Sequence, residues 1–209
     1  YAELVSDPDR DIHFHNACLF GIHERGKEIP KLTRDLSKRL IYCVLYGGGA
    51  KKTGSIIAPK ESEHKQYERG KQTIDTFYQN LPAIKKLKDQ VESTLSKRDY
   101  LIGIDGRHLQ IRSKHSALNQ LLQSTGAITV KKATTILYDD MTDKGLKFFK
   151  DWGFVAHVHD EYQCLLRPEY TDLFQELAID SFRKSGEYFK LKCPLTGEAK
   201  IGKNWCETH

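Results

Sequence analysis

Four residues spaced four apart, Arg34, Lys38, Tyr42 and Tyr46, run directly into Gly47-Gly48-Gly49, and together they constrain this chain more than any other feature. In an α-helix each four-residue step overshoots a full circle by about 40°, so all four side chains share one side of the cylinder. Thr33 reads as a cap, Asp35 suits the first turn and the glycines end the helix, which predicts helix over Thr33–Tyr46. Its polar face runs cation, cation, aromatic, aromatic. A nucleoside triphosphate has the same order along its length, polyanion, sugar and flat base, and the ladder spans roughly 18 Å at 1.5 Å per residue. On its own the ladder has a competing reading, a solvated cationic patch beside two core tyrosines.

The rest of the chain shows two grammars. Residues 11–97 are mainly helical: a segment from Asp11 to about Gly21, then the ladder helix, then Lys-, Glu- and Gln-rich helices over about Ser62–Asn80 and Pro82–Lys97, broken at Leu81-Pro82. From Tyr100 the signal changes to strand, Asp105-Gly106 turn and strand, ending near Arg112. A long helix follows from about Ser116 to Asp143, and another is predicted from about Pro168 to Phe189. Between them stand Val155-Ala156-His157-Val158 and Tyr162-Gln163-Cys164-Leu165-Leu166, apolar-rich runs joined by His159-Asp160-Glu161. This predicts a tight hairpin whose tip presents carboxylates able to leave the sheet and hold a metal. The expectation is an α+β chain, with a helical lobe over 1–97 and a smaller lobe of hairpins and long helices over 98–209.

Composition excludes several classes. In 209 residues, 39% are hydrophobic and 29% charged, ordinary proportions for a globular protein with a real core. No apolar run approaches the roughly 20 residues of a membrane span, and the amino terminus is no signal peptide. The net charge of +5 is compatible with nucleic acid. Five cysteines without a C-x-x-C pair argue against a disulfide framework or a cysteine zinc site and favour a reducing cytoplasm. Gly49–Ser55 mimics a phosphate loop, but its spacing fails and a helix precedes it. His157 and His159 share a strand face, yet no third histidine or cysteine is tied to them by spacing, which argues against a zinc hydrolase.

An R-x3-K-x3-Y-x3-YG helix upstream of an HDE hairpin resembles motifs B and C of the family A DNA polymerases, especially the replicative enzymes of short-tailed bacteriophages. The resemblance runs from Asp11-Ile12-His13 through Asp105-Gly106-Arg107 and Leu121-Leu122-Gln123-Ser124 to Gly202-Lys203-Asn204-Trp205. It implies helical fingers and part of a palm. Arg34 and Lys38 are then expected to grip the β- and γ-phosphates, with His13 nearby, Tyr42 at the sugar and Tyr46 beside the nascent base pair. Tyr at position 42 goes, in that family, with ready acceptance of dideoxynucleotides. Asp160 is expected to ligate metal, one of two Mg²⁺ ions, with Glu161 supporting it and His159 at the primer terminus. Arg107, Arg112 and Lys114 are expected to meet DNA phosphates. His115, Asn119 and Gln123 form a second four-spaced row, with Leu118, Leu121 and Leu122 directed to the core. Asn119 and Gln123 are then placed to inspect minor-groove acceptors present in every base pair.

The same resemblance implies a piece of a longer machine. The family's first catalytic Asp block lies upstream of Asp-Ile-His, and only ten residues precede Asp11, starting from Tyr1 rather than Met. The expected partners are primer-template DNA, dNTP, the amino-terminal polymerase part in cis or as a second chain, and a processivity factor where one exists, with no membrane. The expected setting is cytoplasmic, in a bacterial host if phage-encoded. Single-subunit RNA polymerases share the Arg–Lys–Tyr-Gly helix but resemble HDS rather than HDE. A non-catalytic nucleic-acid-binding or assembly subunit derived from a polymerase is the alternative from a different class.

Overall fold

The structure, a computed structural model, describes residues 11–158 and 160–208. They form two compact units, residues 11–103 with 107–122, and residues 104–106 with 123–208. In the first, α1 (Ile12–Leu19) is capped by Asp11, whose Oδ1 accepts from the His13 amide at 2.9 Å. The ladder helix α2 spans Lys31–Leu45 and starts two residues before the expected Thr33 cap. Pro30 is the cap instead: its φ of −62° suits a helix entry, and its carbonyl accepts from the Arg34 amide at 3.0 Å. Leu40, Ile41 and Val44 of α2 pack on Leu19, Phe20 and Phe77, with the Phe20 and Phe77 rings stacked 4.5 Å apart. That burial faces α2's opposite side, the ladder, outward.

Gly47 turns the chain at φ +82°, and a Cβ there would strike the His115 carbonyl. Helix α3 (Ala50–Ile57) occupies the stretch that mimics a phosphate loop. Sequence reasoning gave it no element. It packs tightly on α4 (Glu63–Asn80), because each helix offers a glycine to the other's backbone: Gly54 meets the Gln66 carbonyl and Gly70 the Ala50 carbonyl. After α5 (Pro82–Leu95), strands β1 (Tyr100–Ile102) and β2 (His108–Gln110) pair antiparallel with Leu101 opposite Leu109. Both leucines point into a small core with Val91, Leu95 and Ala117. The ladder of this hairpin is shorter than its sequence pattern, with Asp105-Gly106 inside a 103–107 connection where Gly106 takes φ +84°.

Helix α6 (Ala117–Asp143) is the long helix expected from the sequence. His115 is not on it but in a preceding 3₁₀ turn, Lys114–Ser116, so the expected row of three is broken at its first member. Leu118 is buried and Leu121 half-buried, whereas Leu122 is exposed, against the expectation that it faces the core.

In the second unit β3 (Trp152–Val158) and β4 (Glu161–Leu166) form the HDE hairpin. One face packs on α6 and on α7 (Thr171–Tyr188): Trp152 joins Leu137, Met141, Phe174, Leu177 and Ala178, with Phe154, Tyr162, Cys164 and Leu166 at the margin. Tyr162 stacks on Phe182 at 5.7 Å with planes 3° apart. A short α8 (Trp205–Thr208) closes the described chain. Among the described residues no helix is long and apolar enough to cross a membrane.

The α3–α4 contact yields a direct check. Gly54→Ala places a methyl against backbone rather than against a movable side-chain tip, so the helices must separate. A loss of about 1–3 kcal/mol is expected in urea unfolding. Substitution of the exposed Gly26 by Asn, which tolerates its φ of +83°, is the control and is expected to cost little.

Candidate nucleotide-binding face and acidic hairpin tip

The ladder lies on one exposed side of α2. Tyr42 and Tyr46 are 47% and 46% exposed, which rules out the core-tyrosine reading, and their rings sit 5.7 Å apart. Lys38 is exposed as well. Arg34, near the amino end, donates from Nε to Asp11 Oδ2 at 2.7 Å. A cation in the first turn opposes the helix dipole, and the Asp11 carboxylate offsets it. The buried Ser37 hydroxyl donates to the His13 carbonyl at 2.7 Å, with the Arg34 carbonyl a longer second acceptor at 3.2 Å. Asp11 and Ser37 thus tie the start of α1 to the start of α2.

His13 belongs to this constellation. Its Nδ1 is buried and has no hydrogen-bond partner among the described residues. Burial, first, and the charges of Arg34 and Lys38 press its pKa down, against Asp11 and Asp35. For Asp11, burial pushes the carboxyl up, but the bonds from Arg34 and from the His13 and Phe14 amides, with the Arg34 charge, hold it below its ordinary value. At neutral pH the site therefore presents a neutral imidazole and a fixed guanidinium on one side of an open, cationic face. Polyanionic chemistry suits it.

The first unit also carries Arg107, Arg112, Lys114 and His115, all exposed, around the β1–β2 hairpin and the turn after it. Asn119, in the first turn of α6, is half-buried, with Oδ1 buried and unpartnered among the described residues. Gln123, one turn on, is exposed. The side chain between them, Gln120, is occupied elsewhere, donating to the Gln110 carbonyl at 2.8 Å.

In the second unit the sheet registers Phe154 on Cys164 and then Ala156 on Gln163, so Val155 is an extra residue in β3. Such a bulge twists a strand and re-aims the side chains beyond it. Asp160 is exposed in the two-residue connection, and Glu161 opens β4 opposite Val158. Glu161 Oε1 accepts from Gln163 Nε2 at 2.8 Å, and Gln163 Oε1 accepts from Thr208 at 3.2 Å, so the carboxylate is oriented by α8. His159 lies outside the described residues. His157 faces Thr134 Oγ1 at 3.3 Å. Burial raises the Tyr162 hydroxyl and the Cys164 thiol to about 12, so both stay protonated at neutral pH. Asp160 and Glu161 offer the hard oxygen donors that Mg²⁺ prefers. Among the described residues no group of three or more His, Cys, Asp or Glu that could hold a metal ion converges.

The first unit thus carries an exposed Arg–Lys–Tyr–Tyr face and the second an acidic hairpin tip. Residues 3–207 match the family described as DNA polymerase family A, and the chain belongs to that family. It is 35% identical to the DNA-directed DNA polymerase of Enterobacteria phage T3 and 34% identical to that of Escherichia phage T7, in both cases across 100% of this chain and 31% of the relative. It therefore spans about a third of their length. DNA polymerase I of Aquifex aeolicus is 25% identical across 98% of the chain. The fold matches the POL domain of Pol1 from M. smegmatis, solved in complex with DNA primer-template and dNTP, with a TM-score of 0.73 over 88% of this chain and 32% of that one, at 18% identity. The α+β class expected from the sequence, with antiparallel β hairpins and long helices, holds.

The depressed His13 pKa makes a prediction about stability. A group protonated more readily when unfolded contributes stability above its ordinary value, roughly pH 6.5, and loses it as pH falls toward the folded value. His15, lowered mainly by burial and then by Arg25, adds in the same direction. Wild type is expected to lose more unfolding free energy than His13→Gln between about pH 7.5 and about pH 5. Equal losses in urea titrations would leave His13 without a part in the acid sensitivity.

Proposed function

We propose that this chain is the carboxy-terminal catalytic portion of a template-directed DNA polymerase, transferring a nucleotidyl group from dNTP to a primer 3′-hydroxyl. The observation that carries the reading is the outward Arg34–Lys38–Tyr42–Tyr46 face on α2, with His13 at its cationic end. Arg34 and Lys38 hold the β- and γ-phosphates, where charge-assisted bonds to the leaving pyrophosphate strengthen as it departs. His13, neutral, offers a ring N–H to the same oxyanions. Tyr42 lies along the sugar and Tyr46 beside the new pair. Arg107, His115, Asn119, Gln123 and His159 attend the primer-template, the cations on phosphates and the amides on minor-groove acceptors.

Asp160 takes the role of metal ligand with Glu161 in support. With Asp160 and Glu161 supplying part of the ligand set, Mg²⁺ would supply activation of the attacking hydroxyl and neutralisation of charge at the phosphoryl centre. The lobes keep their proposed names, fingers for 1–97 and palm for 98–209. Because the chain spans 31% of its phage relatives, the remaining ligands and DNA contacts are assigned to a further polymerase segment in cis or in a second chain. The 209-residue chain by itself is then expected to be inactive. The setting fits a phage-encoded enzyme in a bacterial host cytoplasm.

Two measurements test this in the complete enzyme. Asp160→Ala is expected to reduce single-turnover extension on the order of a thousandfold or more while leaving primer-template affinity nearly unchanged. Near-normal extension would remove Asp160 from the chemistry, and lost DNA affinity with little change in rate would favour a binding subunit instead. Tyr42→Phe removes one hydroxyl from the proposed sugar contact. It is expected to make the enzyme select against dideoxynucleotides, and an unchanged dideoxy-to-deoxy incorporation ratio would displace Tyr42 from the sugar.

A further inference from the structure

We propose that Asp11 is a positioning residue for triphosphate binding, holding the Arg34 guanidinium by its Nε edge so that both Nη groups face the phosphates. The proposal rests on the reading that Arg34 grips the triphosphate.

Arginine has five N–H donors in a rigid planar fork, one on Nε and four on the two Nη atoms. Asp11 takes only the first: Oδ2 accepts from Arg34 Nε at 2.7 Å. Its other oxygen accepts from the His13 amide at 2.9 Å. With one oxygen on the α1 backbone and one on the guanidinium, the carboxylate cannot swing away from either without giving up a bond. Ser37, fully buried, closes the loop by donating to the His13 carbonyl from the turn that carries Arg34. Arg34 is therefore oriented from behind.

The choice of edge separates support from obstruction. A carboxylate that blocked the site would occupy the Nη fork, the bidentate geometry that phosphate itself uses. Asp11 is bound at Nε and leaves that fork open on a side chain 44% exposed. An exposed arginine also carries many rotamers, and an anchored one has less freedom to lose when the ligand arrives. Asp11 does a second job at the same time. Through the His13 amide it fixes the start of α1, and hence the imidazole whose buried Nδ1 lies in the same cationic setting. One carboxylate thus sets the direction of two phosphate-facing groups on two helices.

The test uses the complete polymerase and four proteins: wild type, Asp11→Asn, Arg34→Ala and the double variant. Asparagine keeps an oxygen for the His13 amide, so the helix cap survives while the charge-assisted grip on Nε is lost. Asp11→Asn is expected to weaken dNTP binding roughly 5–30-fold in pre-steady-state titrations, with primer-template affinity and thermal midpoint near wild type. In the double variant the effect of Asp11→Asn is expected to vanish, because its route runs through Arg34. Normal dNTP affinity in Asp11→Asn beside a weakened Arg34→Ala overturns the proposal alone. Tighter dNTP binding in Asp11→Asn overturns it in favour of a competing latch. Additive losses, or a loss that tracks a lowered thermal midpoint, overturn it in favour of a purely structural cap. Unchanged dNTP affinity in Arg34→Ala removes the phosphate-grip reading and this proposal with it.

Discussion

The burial of one side of α2 against Leu19, Phe20 and Phe77 is the interaction on which the first unit turns. Leu40, Ile41 and Val44 fix the rotation of the helix about its own axis, and that rotation alone decides where Arg34, Lys38, Tyr42 and Tyr46 face. Burying three such side chains contributes several kcal/mol, roughly 1.5–3 each, whereas the exposed ladder contributes little to folding. Stability and the proposed function are thus divided between two sides of one cylinder. The ends of α2 are specified separately. Pro30 and the Asp11–Arg34 bond set the beginning, and Gly47, pressed on the His115 carbonyl, sets the end.

The second unit solves a different problem, presenting a carboxylate away from its sheet. Trp152, Phe154, Tyr162, Cys164 and Leu166 anchor the hairpin by one face to α6 and α7. The bulge at Val155 lets the register of β3 shift by one before the tip, so His157 comes opposite Tyr162 and Val158 opposite Glu161. Glu161 is further tied through Gln163 to Thr208, a contact that gives the last helix a reason to lie where it does.

Much of this was legible in the sequence, and the failures have physical causes. Long elements with strong punctuation came through: α4 begins after Ser62, α5 begins at Pro82, and the HDE hairpin pairs as its alternation suggested. Thr33 failed as a cap because proline three residues earlier had already fixed a suitable φ and supplied the first accepting carbonyl. Helix α3 was missed because its two buried positions are Thr53 and Gly54, neither of which gives an apolar period. The usable signal was the pair Gly54 and Gly70, but glycines meeting across helices are visible only in three dimensions. His115 fell off the long helix because a 3₁₀ turn ends between it and Asn119, and spacing cannot distinguish a tight turn from a wide one. The Asp11–Arg34 bond crosses 23 positions and left no trace in local pattern.

The Asp11–Arg34 bond also explains why a first-turn cation can persist on a helix that the dipole argument says should reject it. Left exposed and unpaired, Arg34 would be an electrostatic burden relieved only when an anion bound, and its many rotamers would have to be ordered at that moment. Paired through Nε, it is relieved beforehand and ordered beforehand, yet most of its donor capacity stays available. Lys38, one turn further in, has no such partner among the described residues and is a mobile point charge by comparison. The two cations of the ladder therefore differ in kind: in the proposed triphosphate site the first is a fixed fork that would set the direction of a phosphate chain, the second a flexible charge that would follow it as bonds to the leaving group lengthen. That ordering, rigid at the helix start and adaptable beyond it, comes from which of the two has a carboxylate behind it.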